Sequence, residues 1–145
     1  RNSACFGVYV RSNINAASVE IGAQNATAGN VIFTRSSDLL RARCNKLGSL
    51  VDSATTNSSG LTVAVRTGAA VEAVFKNGVS VDSGTETSLA IESMNFYIGA
   101  YNDGTAAASF STKPIALAFA GSGSISQLLL YNSLQQYMTS LQTQV

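Results

Sequence analysis

Arg35, Arg41, Arg43 and Lys46 form the densest charge in the sequence. If residues 39–45 are extended, Arg41 and Arg43 leave one face of one strand. Two guanidinium forks side by side suit a phosphate or an anionic glycan. The plainer reading is a solvated outer face whose charge keeps a sheet edge from pairing with another chain. A second group is aromatic: Tyr97 and Tyr101 flank Gly99, and Asn102 and Asp103 follow directly. A tyrosine ring can cover the apolar face of a sugar while amide and carboxylate groups take its hydroxyls. The same rings serve equally as packing between layers. Asn102-Asp103-Gly104 also has turn composition. Asp82, Asn102 and Asp103 offer oxygen ligands for calcium, without the spacing of a compact calcium loop.

Catalytic residues are scarce. The chain has no His, which removes His-dependent triads, nearly all catalytic zinc sites and the commonest general base. Glu20, Glu72, Glu86 and Glu92 each lack a second acid two residues on, so no local carboxylate pair is present for glycoside hydrolysis; acids distant in sequence can still converge. Gly121-Ser122-Gly123 has neither the Lys nor the spacing of a phosphate cradle. The expectation is a chain with no catalytic residues, no cofactor and no metal site.

The totals point the same way. The 145 residues fit one domain, 1–145. Charged residues are 12 %, about half the usual ~25 % share. A net charge of +1 gives no general attraction to nucleic acid or an anionic membrane. No apolar run approaches the ~18 residues of a membrane-spanning helix. The chain starts at Arg1 with no visible signal peptide, so a processed product or a piece of a longer chain is expected. Cys5 and Cys44 read either as a pair on neighbouring strands or as two buried free thiols.

Period-two alternation marks the elements that would position these groups. Leu61, Val63 and Val65 alternate with Thr62, Ala64 and Arg66, a strand expected to bury one face. Residues 71–76 follow, then Asn77-Gly78, the strongest short hairpin signal, and Val79 and Val81 on the far side. Further strands are expected over 4–11, 17–24, 31–35, 39–45, 95–101 and 115–120, with weaker ones over 47–51, 89–91 and 106–110. In 17–24, Val19, Ile21 and Ala23 are expected inward and Ser18 and Glu20 outward. Residues 115–120 pair a bulky face (Ile115, Leu117, Phe119) with a small one (Ala116, Ala118, Ala120) that a helix or another subunit could approach closely. One helix is expected over about 124–142, opened by a Ser124–Gln127 capping box. Its stripe of Leu130, Leu134, Tyr137, Met138 and Leu141 would pack on the sheet or on another subunit. Strands about every ten residues with turns between them indicate an all-β, two-sheet antiparallel jelly-roll sandwich with one C-terminal α-helix.

Three segments, Leu61-Thr-Val-Ala-Val-Arg66, Val74-Phe-Lys-Asn-Gly-Val79 and Phe96-Tyr-Ile-Gly-Ala100, resemble the laminin-G or concanavalin-A-like jelly-roll superfamily. Residues 115–120 and 126–132 stand where that family has its closing strand and tail, so the resemblance spans 61–132. It implies a binding or structural module that contacts glycans, receptors or other proteins through loops at the sandwich edge. The Ser/Thr/Asn/Gly-rich texture is also similar to domains of phage virion proteins. Together these imply a non-catalytic structural and adhesion domain of a virion fibre or surface component. Its partners would be copies of itself, as a homo-oligomer such as a trimer, other virion proteins and host-surface glycan, with no nucleic acid and no membrane insertion. A secreted bacterial carbohydrate-binding module is the alternative, and a glycan-cleaving enzyme a third. Expected ligand contacts are Tyr97, Tyr101, Asn102, Asp103, Arg41 and Arg43; expected interface residues are Ala116, Ala118, Leu134, Tyr137 and Met138.

Overall fold

The computed structural model describes residues 2–90 and 93–142. In chain order the elements are β1 (Ala4–Val10), β2 (Ile21–Gln24), β3 (Gly29–Ser36), β4 (Leu39–Lys46), β5 (Val51–Ala54), β6 (Gly60–Gly68), β7 (Val71–Lys76), β8 (Val79–Gly84), β9 (Tyr97–Ile98), β10 (Tyr101–Asn102), β11 (Ala107–Ala108), β12 (Ile115–Gly121) and α1 (Gln127–Gln142). One sheet runs β12-β1-β6-β7-β8, antiparallel throughout. The other runs β11-β10-β2-β3-β4-β5, with β9 also on β2. Its one parallel pair is β10 on β2. The chain is an all-β sandwich of two sheets with a single C-terminal helix.

Local chemistry explains the main turns. Asn77 (φ 51°) and Gly78 (φ 81°) are both left-handed, as a type I′ hairpin requires. Gly78 also clears room for α1, since a Cβ there would stand 3.0 Å from the Leu128 Cα. The segment 39–45 is strand β4, as expected, hydrogen-bonded to β3 on one side and β5 on the other. Pairing on both edges outweighs the helix preference of Leu, Arg and Ala.

Both faces of β6 are buried, which corrects the expectation of one buried face for this strand. Leu61, Val63 and Val65 join Cys5 under the helix, against Leu130, Tyr131 and Leu134. The opposite face looks into the sandwich, where Ala64 and Val74 pack with Phe6, Val8, Val10, Ile32 and Leu40. Thr62 and Arg66, fully buried, also point inward. Cys5 therefore lies on the helix side and Cys44 between the sheets, both as free thiols. Burial pushes the Cys44 thiol up to about 12.

Other expectations are corrected. Residues 95–101 are not one strand: Gly99 (φ 77°) breaks them into β9 and β10, and Phe96 turns edge-on to Phe6 with ring centroids 5.2 Å apart. The 17–24 strand shortens to β2. Ser18 and Glu20 are buried rather than outward, because Lys113 meets them there. The 47–51 strand shifts to β5, since Gly48 (φ 94°) turns the chain first. Leu89 sits in irregular chain, while Ile91 and Glu92 lie outside the described residues. The helix starts at Gln127. Its cap is Ser126, whose Oγ accepts from the Leu129 N–H, rather than Ser124. Tyr131 takes the inward place expected for Tyr137, which is 58 % exposed.

Charge is used inside the molecule. Glu20 and Lys113, each fully buried, pair at 2.9 Å. Glu20 also accepts from the Ser18 and Ser111 hydroxyls and the Thr34 N–H. Glu72 of β7 is paired with both Lys46 and Arg66. Removing one partner of such a pair strands a charge in a medium that cannot solvate it. Glu20→Gln is therefore expected to lower unfolding stability by ~3–5 kcal/mol in urea titration. The double variant Glu20→Gln/Lys113→Met, which leaves no charge, is expected to recover most of it. Equal loss in single and double variants would contradict this account.

Candidate functional site

The basic group does not form one patch. Arg35 is tied to Asp38 at 2.6 Å and Arg41 to Asp52, its cross-strand neighbour, at 3.4 Å. Asn45 is left-handed (φ 54°), which upsets the alternation of β4 and sends Lys46 inward to Glu72 and Glu86. Arg66 and Lys113 are paired with carboxylates as well. Arg43 makes no hydrogen bond or ion pair with any described residue, and its Nε is buried.

Arg43 and Tyr101 are brought together by sheet register. Tyr101 is opposite Gly22, Gly22 opposite Val31, and Val31 opposite Arg43. The four form one row across β10, β2, β3 and β4, on the outer face of the second sheet. Three strand spacings put the ends of the row about 14 Å apart. The row begins and ends in a long side chain, with Gly22 and Val31 between. The result is a groove of 240 Å³ with Val19, Val31, Phe33 and Leu50 as apolar walls and Arg43, Tyr101, Gln24 and Ser109 as polar groups. Burial pushes the Tyr101 phenol up and pulls the Arg43 guanidinium down from their ordinary ranges.

The other expected ligand residues are elsewhere or occupied. Tyr97 does not line this groove. Asn102 is buried; its amide N–H donates to the Asn95 carbonyl and its Oδ1 accepts from Gly104. Asp103 accepts from the Thr105 N–H and hydroxyl and the Ala106 N–H, bonds that hold its carboxyl below the usual range. The Asn25 and Asn57 turns repeat this geometry, each with a Ser or Thr two residues on. Asp82 is on β8 of the opposite sheet, so it shares no calcium site with Asn102 and Asp103. Among the described residues no three His, Cys, Asp or Glu side chains converge to hold a metal ion.

A larger cleft, 470 Å³, lies beside the second half of α1. Tyr9 and Arg11 at the end of β1, Asn57 and Ser59 of the loop before β6, Asn77 of the hairpin, and Tyr131, Gln135 and Thr139 of the helix line it. The Gln135 amide donates to the Tyr9 hydroxyl at 3.1 Å. Asn77 Oδ1 accepts from the Leu61 N–H, and a side chain at Gly60 (φ 97°) would collide with that oxygen. The Lys76 ammonium reaches the Ser58 carbonyl at 2.9 Å, tying down the loop that carries Asn57 and Ser59. These residues come from four separate segments, so no local motif announces the cleft.

Of the expected interface residues, Leu134 is spent under the helix and Ala118 packs against the inter-sheet core. Met138 lines the cleft, and Ala116 and Tyr137 are exposed. Among the described residues no helix is long and apolar enough to cross a membrane. Compared with known proteins, the chain matches no family model, and neither a curated protein nor a solved structure shows a significant similarity to it.

Burial pulls Lys76 from 10.5 down to about 8. Between those values the native state sheds a proton that the unfolded chain keeps, so this group makes stability rise with pH across that window. Cys44 acts oppositely at alkaline pH, since its folded thiol keeps its proton longer. Unfolding free energy of wild type minus Lys76→Met isolates the lysine and is expected to climb from about pH 8 to pH 10. A flat difference would mean that Lys76 is not desolvated and does not anchor the loop.

Proposed function

We propose that this chain is a non-catalytic structural and adhesion domain of a phage virion protein, a fibre or surface component of jelly-roll type that contacts host-surface glycan. The observation that carries the glycan part is the cleft beside α1, where the Tyr9 and Tyr131 rings meet Arg11, Asn57, Gln135 and Thr139. Sugar recognition needs that mixture of ring faces and directional donors and acceptors. Self-assembly is supported by apolar side chains that α1 leaves outward: Leu128, Leu129 and Tyr137 are each more than half exposed on a helix without a single charge. A second copy of the chain is the proposed cover. The absence of catalysis is supported by the fate of Glu20 and Glu72, both buried and held in ion pairs. The virion setting rests on the resemblance stated above.

A glycan array is expected to return a defined set of binders. Arg11→Ala/Gln135→Ala is expected to weaken the best of them about tenfold, the ~1.4 kcal/mol that one or two hydrogen bonds contribute. Light scattering is expected to give a homo-oligomer. A monomer that still binds glycan would move the chain to the secreted carbohydrate-binding class, and silence on the array would remove the adhesion role.

A further inference from the structure

Arg43 is the one half-buried cation among the described residues whose side chain makes neither a hydrogen bond nor an ion pair. Its Nε is out of contact with water and has no hydrogen-bond partner, whereas Arg35, Arg41, Lys46, Arg66 and Lys113 each meet a carboxylate. Lys76 is bonded to a carbonyl. A desolvated donor with no acceptor costs stability, and the sheet register places it opposite Tyr101 above a bare Gly22. The two acids within electrostatic reach of Arg43, Glu86 and Glu72, are both committed to Lys46.

We propose that the groove between Arg43 and Tyr101 binds the carboxylate of an acidic sugar, with the guanidinium edge taking the two carboxylate oxygens and the Tyr101 hydroxyl, Gln24 and Ser109 taking ring hydroxyls. One open cation suits one negative charge, and the planar fork of Arg matches a carboxylate in two parallel bonds. A phosphate dianion would find only that single cation. The volume of 240 Å³ lies below the ~300–1,000 Å³ typical of drug-sized ligands, which fits one sugar ring at a chain end or branch. Phe33 and Val31 offer an apolar wall for its carbon face. This inference rests on the adhesion reading and extends it: the cleft beside α1 holds neutral glycan, while the groove selects for an acidic residue on the opposite sheet.

The test uses the whole chain and two matched probe pairs, methyl glucuronide against methyl glucoside and methyl galacturonide against methyl galactoside, by calorimetry and amide chemical shifts at neutral pH. At least one acid is expected to bind ten or more times more tightly than its neutral partner, with shifts centred on residues 22, 31, 43 and 101. Raised salt should weaken it, and Arg43→Gln should abolish the preference while leaving array binding at the cleft unchanged. Should Arg43→Gln fail to fold, the methyl ester of the uronate on wild type serves instead, since it keeps the shape and loses the charge; it is expected not to bind. Equal binding of acid and neutral sugar, survival of the preference in Arg43→Gln, or tighter binding of acetate or inorganic phosphate than of uronate would each overturn the inference and leave the adhesion reading standing. Loss of array binding with the acid preference intact would do the reverse.

Discussion

Glu72 sets the terms on which the two sheets meet. It projects from β7 into the sandwich, where Lys46 of β4 holds one oxygen while Arg66 of β6 and the Cys44 N–H of β4 hold the other. Arg66 in turn donates to the Cys44 carbonyl at 2.7 Å. The interior is thus cross-linked by charge over a stretch where most sandwiches use only hydrocarbon. A buried ion cluster is weak evidence for net stability, because desolvation offsets most of the attraction. Its geometric demand is strict, however. A one-residue slip of β6 or β7 would turn Arg66 or Glu72 out of the interior and leave its partner unpaired.

That demand fixes the role of the helix. With Thr62, Arg66, Glu72 and Lys76 turned inward, the aliphatic side of β6 and β7, Leu61, Val63, Val65 and Phe75, must face away from the other sheet. Left bare it would be a large apolar surface. The α1 helix covers it with Leu130, Tyr131 and Leu134, and Gly78 is required where the helix crosses the hairpin turn. The cleft beside α1 is a by-product of this cover, since the helix runs on past the end of β1 and forms a wall against the loop before β6.

How much of this could be read from sequence depends on the range of each interaction. The Asn77-Gly78 hairpin, the alternating strands and the helix are local, and they were legible. The direction of β6 was not: alternation shows that two faces differ and cannot say which one meets the other sheet, and here the polar-looking face is interior. Glu20 misled for the same reason, its partner Lys113 being 93 residues away. Glu72 and Glu86, isolated in sequence, do converge, but on Lys46 rather than on an open cleft. At the candidate site, naming Tyr101 and Arg43 was possible from residue type. Their meeting was not, because it needs the register of four strands. Tyr97 stands apart from the groove that holds Tyr101 because Gly99, with positive φ, ends the strand that would have placed both tyrosines on one face.

The same register argument separates binding surface from scaffold. On the first sheet α1 covers the outer face at Leu61, Val63, Val65 and Phe75, so there a ligand can reach only the rim of that helix. On the outer face of the second sheet the cations are neutralised in order along β3 and β4: Arg35 by Asp38, Arg41 by Asp52, with Arg43 left over. Asn45 is the cause of the asymmetry. Its left-handed backbone diverts Lys46, the next cation, to the buried Glu72 and the part-exposed Glu86, so both acids are engaged by Lys46 and neither forms an ion pair with Arg43. One backbone irregularity therefore does two things at once, completing the ion cluster that cross-links the sheets and leaving Arg43 without an ion pair on the outer face.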